Sequence, residues 1–132
     1  MKKEEILKRL DEFPYDREGY WLITGAAMVL YGMKEETHDI DLGCSRELAD
    51  LLEKDGHLYK ITDEGKRWFR FDDDIEILEG WLKDSTRYLE GYQVITVKGL
   101  LEMKEELGRE KDLRDIELIK DYMKDHGEEN DN

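Results

Sequence analysis

The chain has very little cysteine or proline and no long apolar run. Each shortage excludes a class of protein. Its one cysteine, Cys44, cannot form an internal disulfide. No stretch approaches the roughly 20 apolar residues needed to cross a bilayer, so a membrane role has no support. The opening Met-Lys-Lys-Glu-Glu lacks the apolar core of a secretory signal, and the expected compartment is the cytoplasm. Positive charge is scarce as well: 21 basic residues face 35 acidic ones, for a net charge of -14. That balance argues against broad contact with a nucleic-acid backbone, although a local group of Lys and Arg can still meet a small anion such as a nucleotide. With a single proline and no Pro-rich or Gly/Ser-rich stretch, nothing divides the 132 residues. The expectation is one domain over residues 1–125 and a polar, disordered tail over 126–132.

What the chain does have is a set of short periodic segments. Ile6, Leu7, Leu10 and Phe13 fall at helical spacing before Pro14. Tyr20-Trp21-Leu22-Ile23 has the length of a buried strand, Gly25 marks a turn, and Ala26 to Tyr31 predicts a short helix stopping at Gly32. A strand is expected over 39–43. Ser45 is the expected N-cap of a helix with Leu48, Leu51 and Leu52 as its buried stripe. Three short strands follow, at 58–61, 67–71 and 75–78, with Asp72-Asp73-Asp74 as the hairpin turn before the last. Residues 92–95 read as a further edge strand, and two helices follow, one through Leu100, Leu101, Met103 and Leu107 and one through Ile116 to Met123. Cys44 reads as a small buried residue. Trp68, Phe69 and Phe71 read mainly as packing, with base stacking as the alternative, and Trp81 and Tyr88 are candidates for a pocket mouth.

Thr37-His38-Asp39-Ile40-Asp41-Leu42 is the most informative stretch. Alternate strand residues share a face, so Asp39 and Asp41 emerge together about 7 Å apart along the backbone. Two carboxylates so placed repel each other and call for a cation. A hard divalent ion such as Mg²⁺ or Mn²⁺ suits oxygen ligands and brings substrate phosphates with it. A glycine turn and a helix start beside them would offer N–H groups to phosphate. His38 reads as incidental.

Thr24-Gly25-Ala26-Ala27, Tyr31-Gly32 and the Thr37–Leu42 stretch together resemble the pattern of the nucleotidyltransferase superfamily, which includes DNA polymerase β and antibiotic-modifying enzymes. The likeness is greatest to its small bacterial members. Lys104, Leu107-Gly108-Arg109, Lys111-Asp112 and Asp115-Ile116 are similar to a later segment of such relatives. The resemblance implies an α+β fold, a short mixed sheet flanked by helices. It also implies Mg²⁺-dependent transfer of a nucleoside monophosphate from a triphosphate to a hydroxyl, by way of two metals ~3.5–4 Å apart. Asp39, Asp41 and a third acid would hold the metal. That acid is Glu76 by order and context, with Asp74 the runner-up. Thr24, Gly25, Thr37 and Lys104 or Lys111 would meet the nucleotide. Two positions depart from the pattern: Thr24 stands where a first glycine is common, and Glu35 where many relatives carry Arg. These departures leave a second reading open, a non-catalytic nucleotide-sensing or protein-binding module on the same scaffold. The base stays open. So short a chain implies a small-molecule or protein acceptor, or a pocket completed by a homodimer.

Overall fold

The computed structural model describes residues 1–127. A first helix, α1 (Lys3–Glu12), leads through a single 3-10 turn into β1 (Tyr20–Ile23), which passes straight into α2 (Thr24–Tyr31). Next come β2 (Ile40–Cys44), α3 (Arg46–Lys54) and three strands, β3 (Tyr59–Ile61), β4 (Arg67–Arg70) and β5 (Ile75–Glu79). The hairpin β6 (Thr86–Leu89) and β7 (Tyr92–Ile95) precedes α4 (Val97–Leu107) and α5 (Glu110–His126). The seven strands form one mixed sheet in the order β3-β4-β5-β2-β1-β7-β6. β2 is the central strand, antiparallel to β1 and parallel to β5.

Strand alternation divides the sheet into two unlike faces. Leu22, Leu42, Ile77 and Phe69 stand in register on one face and are fully buried. The opposite face carries Trp21, Asp41, Gly43, Glu76, Leu78, Trp68 and Arg70 at the intervening positions. The acids therefore share a face because the core residues claim the other one. Cys44 is buried, and burial pushes its thiol up to about 12, so it packs as a small apolar group.

Several boundaries differ from those the sequence suggests. The central strand begins at Ile40, whose N–H bonds the Asp74 carbonyl, so Asp39 sits just outside it. Gly25 belongs to the first turn of α2, and the reversal after β1 occurs at Thr24. Residues 92–95 form an interior strand between β1 and β6, and the edge is β6, which sequence periodicity does not reveal. Its signal is the turn: Glu90 and Gly91 both have positive φ, as a two-residue type I′ hairpin requires. Ser45 does cap α3, accepting the Leu48 N–H, but Leu51 is exposed and Ala49 takes its place in the buried stripe. α5 extends through His126 to a cap at Gly127; the remainder of the segment read as a tail, 128–132, lies outside the described residues.

Candidate active site

The site is built first at the β1–α2 junction. With no loop between strand and helix, one residue must absorb the reversal, and Thr24 does so at φ +51. That left-handed conformation costs an L residue about 1–2 kcal/mol, and a β-branched residue is a rare occupant. The Thr24 hydroxyl donates to Asp41 Oδ2 at 2.7 Å. Gly25 follows because a Cβ there would lie 2.3 Å from the Thr37 hydroxyl.

Asp41 and Glu76 are direct neighbours across β2 and β5, and with Asp39 they border one polar cleft of about 670 Å³. Thr24, Gly25 and Thr37 border it as well. Burial pushes the Asp41 carboxyl up, the Thr24 hydroxyl opposes that shift, and the charge of Asp39 adds to it. Glu76 leans toward Arg70, with Oε1 3.2 Å from Nη2. Among the described residues no three His, Cys, Asp or Glu side chains converge closely enough to hold a metal ion as the chain stands. The donor set still suits a hard cation, being carboxylate oxygens on one face of two paired strands. The Arg70 side chain that pairs with Glu76 is 64% exposed, and such a surface pair is worth about 0–1 kcal/mol. Asp74, the other candidate for the third acid, instead belongs to the turn before β5. There Arg9 pairs with Asp72 and lies 3.5 Å from Asp74.

The facing wall comes from α4 and α5. Gly108, left-handed at φ +56, ends α4 and lets α5 double back. The buried start of α5 is polar, with Asp112 and Asp115 one helical turn apart and Ile119 after them. Lys104 of α4 reaches both, at 3.3 Å and 2.9 Å. Lys34 closes on Asp115 at 2.7 Å and Arg109 on Asp112 at 2.6 Å. Arg109, joined by Lys104, holds the Asp112 carboxyl down near pH 2; burial opposes the same shift at Asp115, where Lys34 and Lys104 outweigh it. Lys104 thus borders the cleft with its ammonium already engaged. Exposed Lys111 and Arg114 border it too, as does Lys34, whereas Glu35, the acid in the arginine position, is absent from its lining. Lys34 and Arg114 carry no sequence signal, because only the fold brings them to the acids. His38 lies on the rim, exposed.

A second cavity, of about 290 Å³, opens off the first. Thr24, Asp41, Glu76 and Arg109 line both, and beyond them its walls include Trp68, Leu78, Trp81, Met103 and Leu107. Gly43 shapes this region, since a Cβ there would lie 2.1 Å from Trp21 Nε1 and 2.4 Å from the Trp81 carbonyl. Those two groups are themselves hydrogen bonded at 2.7 Å. Of the aromatic candidates, Trp68 and Trp81 reach the site. Phe69 is core, Phe71 packs on Phe13, and Tyr88 bonds Glu18 away from both cavities.

The seven-stranded mixed sheet and its five helices match a nucleotidyltransferase-like α+β fold. A crystal structure of a "putative nucleotidyltransferase" from Thermotoga maritima is similar over 95% of this chain and 96% of that one, with a TM-score of 0.63 and 18% identity. The likeness is therefore one of fold. Comparison with protein-family models and with curated proteins gave no match. No described helix is long and apolar enough to cross a membrane.

Proposed function

We propose that the chain moves a nucleoside monophosphate from a nucleoside triphosphate to a hydroxyl, with Asp39, Asp41 and Glu76 holding Mg²⁺ or Mn²⁺. The observation that carries this reading is the register of Asp41 against Glu76 in a cleft whose far wall is cationic. Bound Mg²⁺ supplies neutralisation of phosphate charge at the acids. The chain does the rest. Lys34, Arg109, Lys111 and Arg114 draw the triphosphate to the far wall. Lys104 adds field from behind, and Thr24, Gly25 and Thr37 shape the floor beneath the phosphates. The acceptor hydroxyl oxygen forms a bond to the α-phosphorus as the bond to pyrophosphate breaks, and the hydroxyl proton passes to a carboxylate. We assign that role to Asp41, whose carboxylate the Thr24 hydroxyl orients.

The same geometry has a second reading, a non-catalytic nucleotide-binding module. It is favoured by the engagement of Asp41 with Thr24 and of Glu76 with Arg70. Calorimetry with ATP, GTP, CTP and UTP in Mg²⁺, followed by a pyrophosphate-release assay, separates the two. Transfer predicts turnover that falls about 10²-fold or more in Asp41→Asn. Nucleotide binding without turnover, unchanged in Asp41→Asn, establishes the binding module instead.

A further inference from the structure

We infer that the apolar cavity beside the acids receives the acceptor, and that the acceptor is an uncharged, ring-sized molecule carrying a hydroxyl, not a polycationic sugar. The inference rests on the reading of Asp39, Asp41 and Glu76 as the transfer site. Three observations lead to it. First, Thr24, Asp41, Glu76 and Arg109 belong to both cavities, so a molecule seated in the apolar one presents its outward end to the acids. Second, an engineered cavity of ~150 Å³ holds benzene, so about 290 Å³ admits a fused pair of rings but not a nucleoside triphosphate, which the larger polar cleft suits.

Third, beyond the four shared residues the side-chain hydrogen-bond donors among the described lining residues are the indole N–H groups of Trp68 and Trp81, and the rest of the lining is apolar. The polar edge of a nucleobase or the several hydroxyls of a sugar outnumber those two donors, and each group left unpaired costs about 1–3 kcal/mol. A hydrocarbon ring loses nothing of that kind. Instead it covers Trp68 and Leu107, which are left 44% and 39% exposed at the cavity rim. The indoles of Trp68 and Trp81 supply flat apolar surface for a ring to stack on.

The probes are 2-naphthol, a hydroxylated ring pair uncharged at neutral pH, and glucosamine, a cationic sugar. Binding of each to the full chain is followed by calorimetry and saturation-transfer NMR, in wild type, Trp68→Ala and Trp68→Phe. The expected result is naphthol binding at least tenfold tighter than glucosamine, weakened about tenfold or more in Trp68→Ala and kept within about threefold in Trp68→Phe. Circular dichroism verifies that each variant is folded. Should Trp68→Ala not fold, Leu107→Asp on the other side of the rim takes its place with the same expectation. Glucosamine binding as tight as naphthol, or naphthol binding indifferent to both rim variants, overturns the inference. MgATP binding to wild type separates the two layers. Bound MgATP with no naphthol binding removes the cavity assignment alone. Bound naphthol with no MgATP binding removes the transfer reading and the acceptor role with it.

Discussion

Replacing Lys104 with methionine tests whether the α4–α5 junction is held by a buried ion network. Lys104 is 5% exposed, with its ammonium 3.3 Å from Asp112 and 2.9 Å from Asp115. Removing one member of a buried pair costs about 3–5 kcal/mol when the other is orphaned. Here neither carboxylate is orphaned, since Asp112 keeps Arg109 at 2.6 Å and Asp115 keeps Lys34 at 2.7 Å. Methionine also refills most of the volume. The expected loss is therefore below that range, about 2–3 kcal/mol, or a fall in Tm of about 6–12 °C for a chain of this size. Urea unfolding followed by far-ultraviolet circular dichroism measures it, with the m-value unchanged. A Lys104 serving mainly as a phosphate contact predicts the reverse: stability within about 0.5 kcal/mol of wild type and nucleotide affinity lost. That outcome refutes the network argument.

Acid should unfold the protein in a defined window. Arg67 holds the Glu79 carboxyl near pH 2 against 4.5, and Arg109 holds Asp112 near 2 against 3.8. Both are depressed in the folded state, so their stabilisation is complete above the unfolded values and disappears as pH falls from about 4.5 toward 2; a urea midpoint flat across that range contradicts this. Tyr20 is fully buried, its hydroxyl has no hydrogen-bond partner among the described residues, and burial pushes it up to about 12, so Tyr20→Phe should raise stability by up to about 1 kcal/mol in urea unfolding. A loss of more than about 1 kcal/mol shows that the hydroxyl has a role. Asp41 has the opposite sign to Glu79: its raised carboxyl makes the ionised form a burden on the fold above its folded-state pKa. Asp41→Asn should therefore raise the thermal midpoint at neutral pH and leave it unchanged below the ordinary aspartate range, and a fall at neutral pH contradicts that.

Much of the fold was legible because the sequence pattern and the burial pattern coincide. Ile75, Ile77 and Leu42 claim the core face, and this forces Glu76 and Asp41 onto the other face together. The β6 edge was hidden because Thr86 to Leu89 alternates weakly and depends on its I′ turn. At the site, Asp39, Asp41, Glu76 and the Thr24–Gly25 junction could be picked out locally. Of the far wall, Lys104, Arg109 and Lys111 were reached only through the family resemblance, and the rest was not. Lys34 and Arg114 come from separate elements, and Asp112 and Asp115 sit where a helix normally buries apolar residues. The left-handed Thr24 is also invisible to composition, because a β-branched residue is the least expected occupant of that backbone region.

The central claim is that Asp39, Asp41 and Glu76 jointly hold a divalent cation. Titration of Mn²⁺ into the protein, read by electron paramagnetic resonance and reversed by Mg²⁺, tests it most directly. The account predicts saturable binding that weakens at least tenfold in each of Asp39→Asn, Asp41→Asn and Glu76→Gln and stays unchanged in Asp74→Asn, whose carboxylate lies in the hairpin turn near Arg9. Binding that survives Glu76→Gln, or that is lost in Asp74→Asn instead, contradicts it.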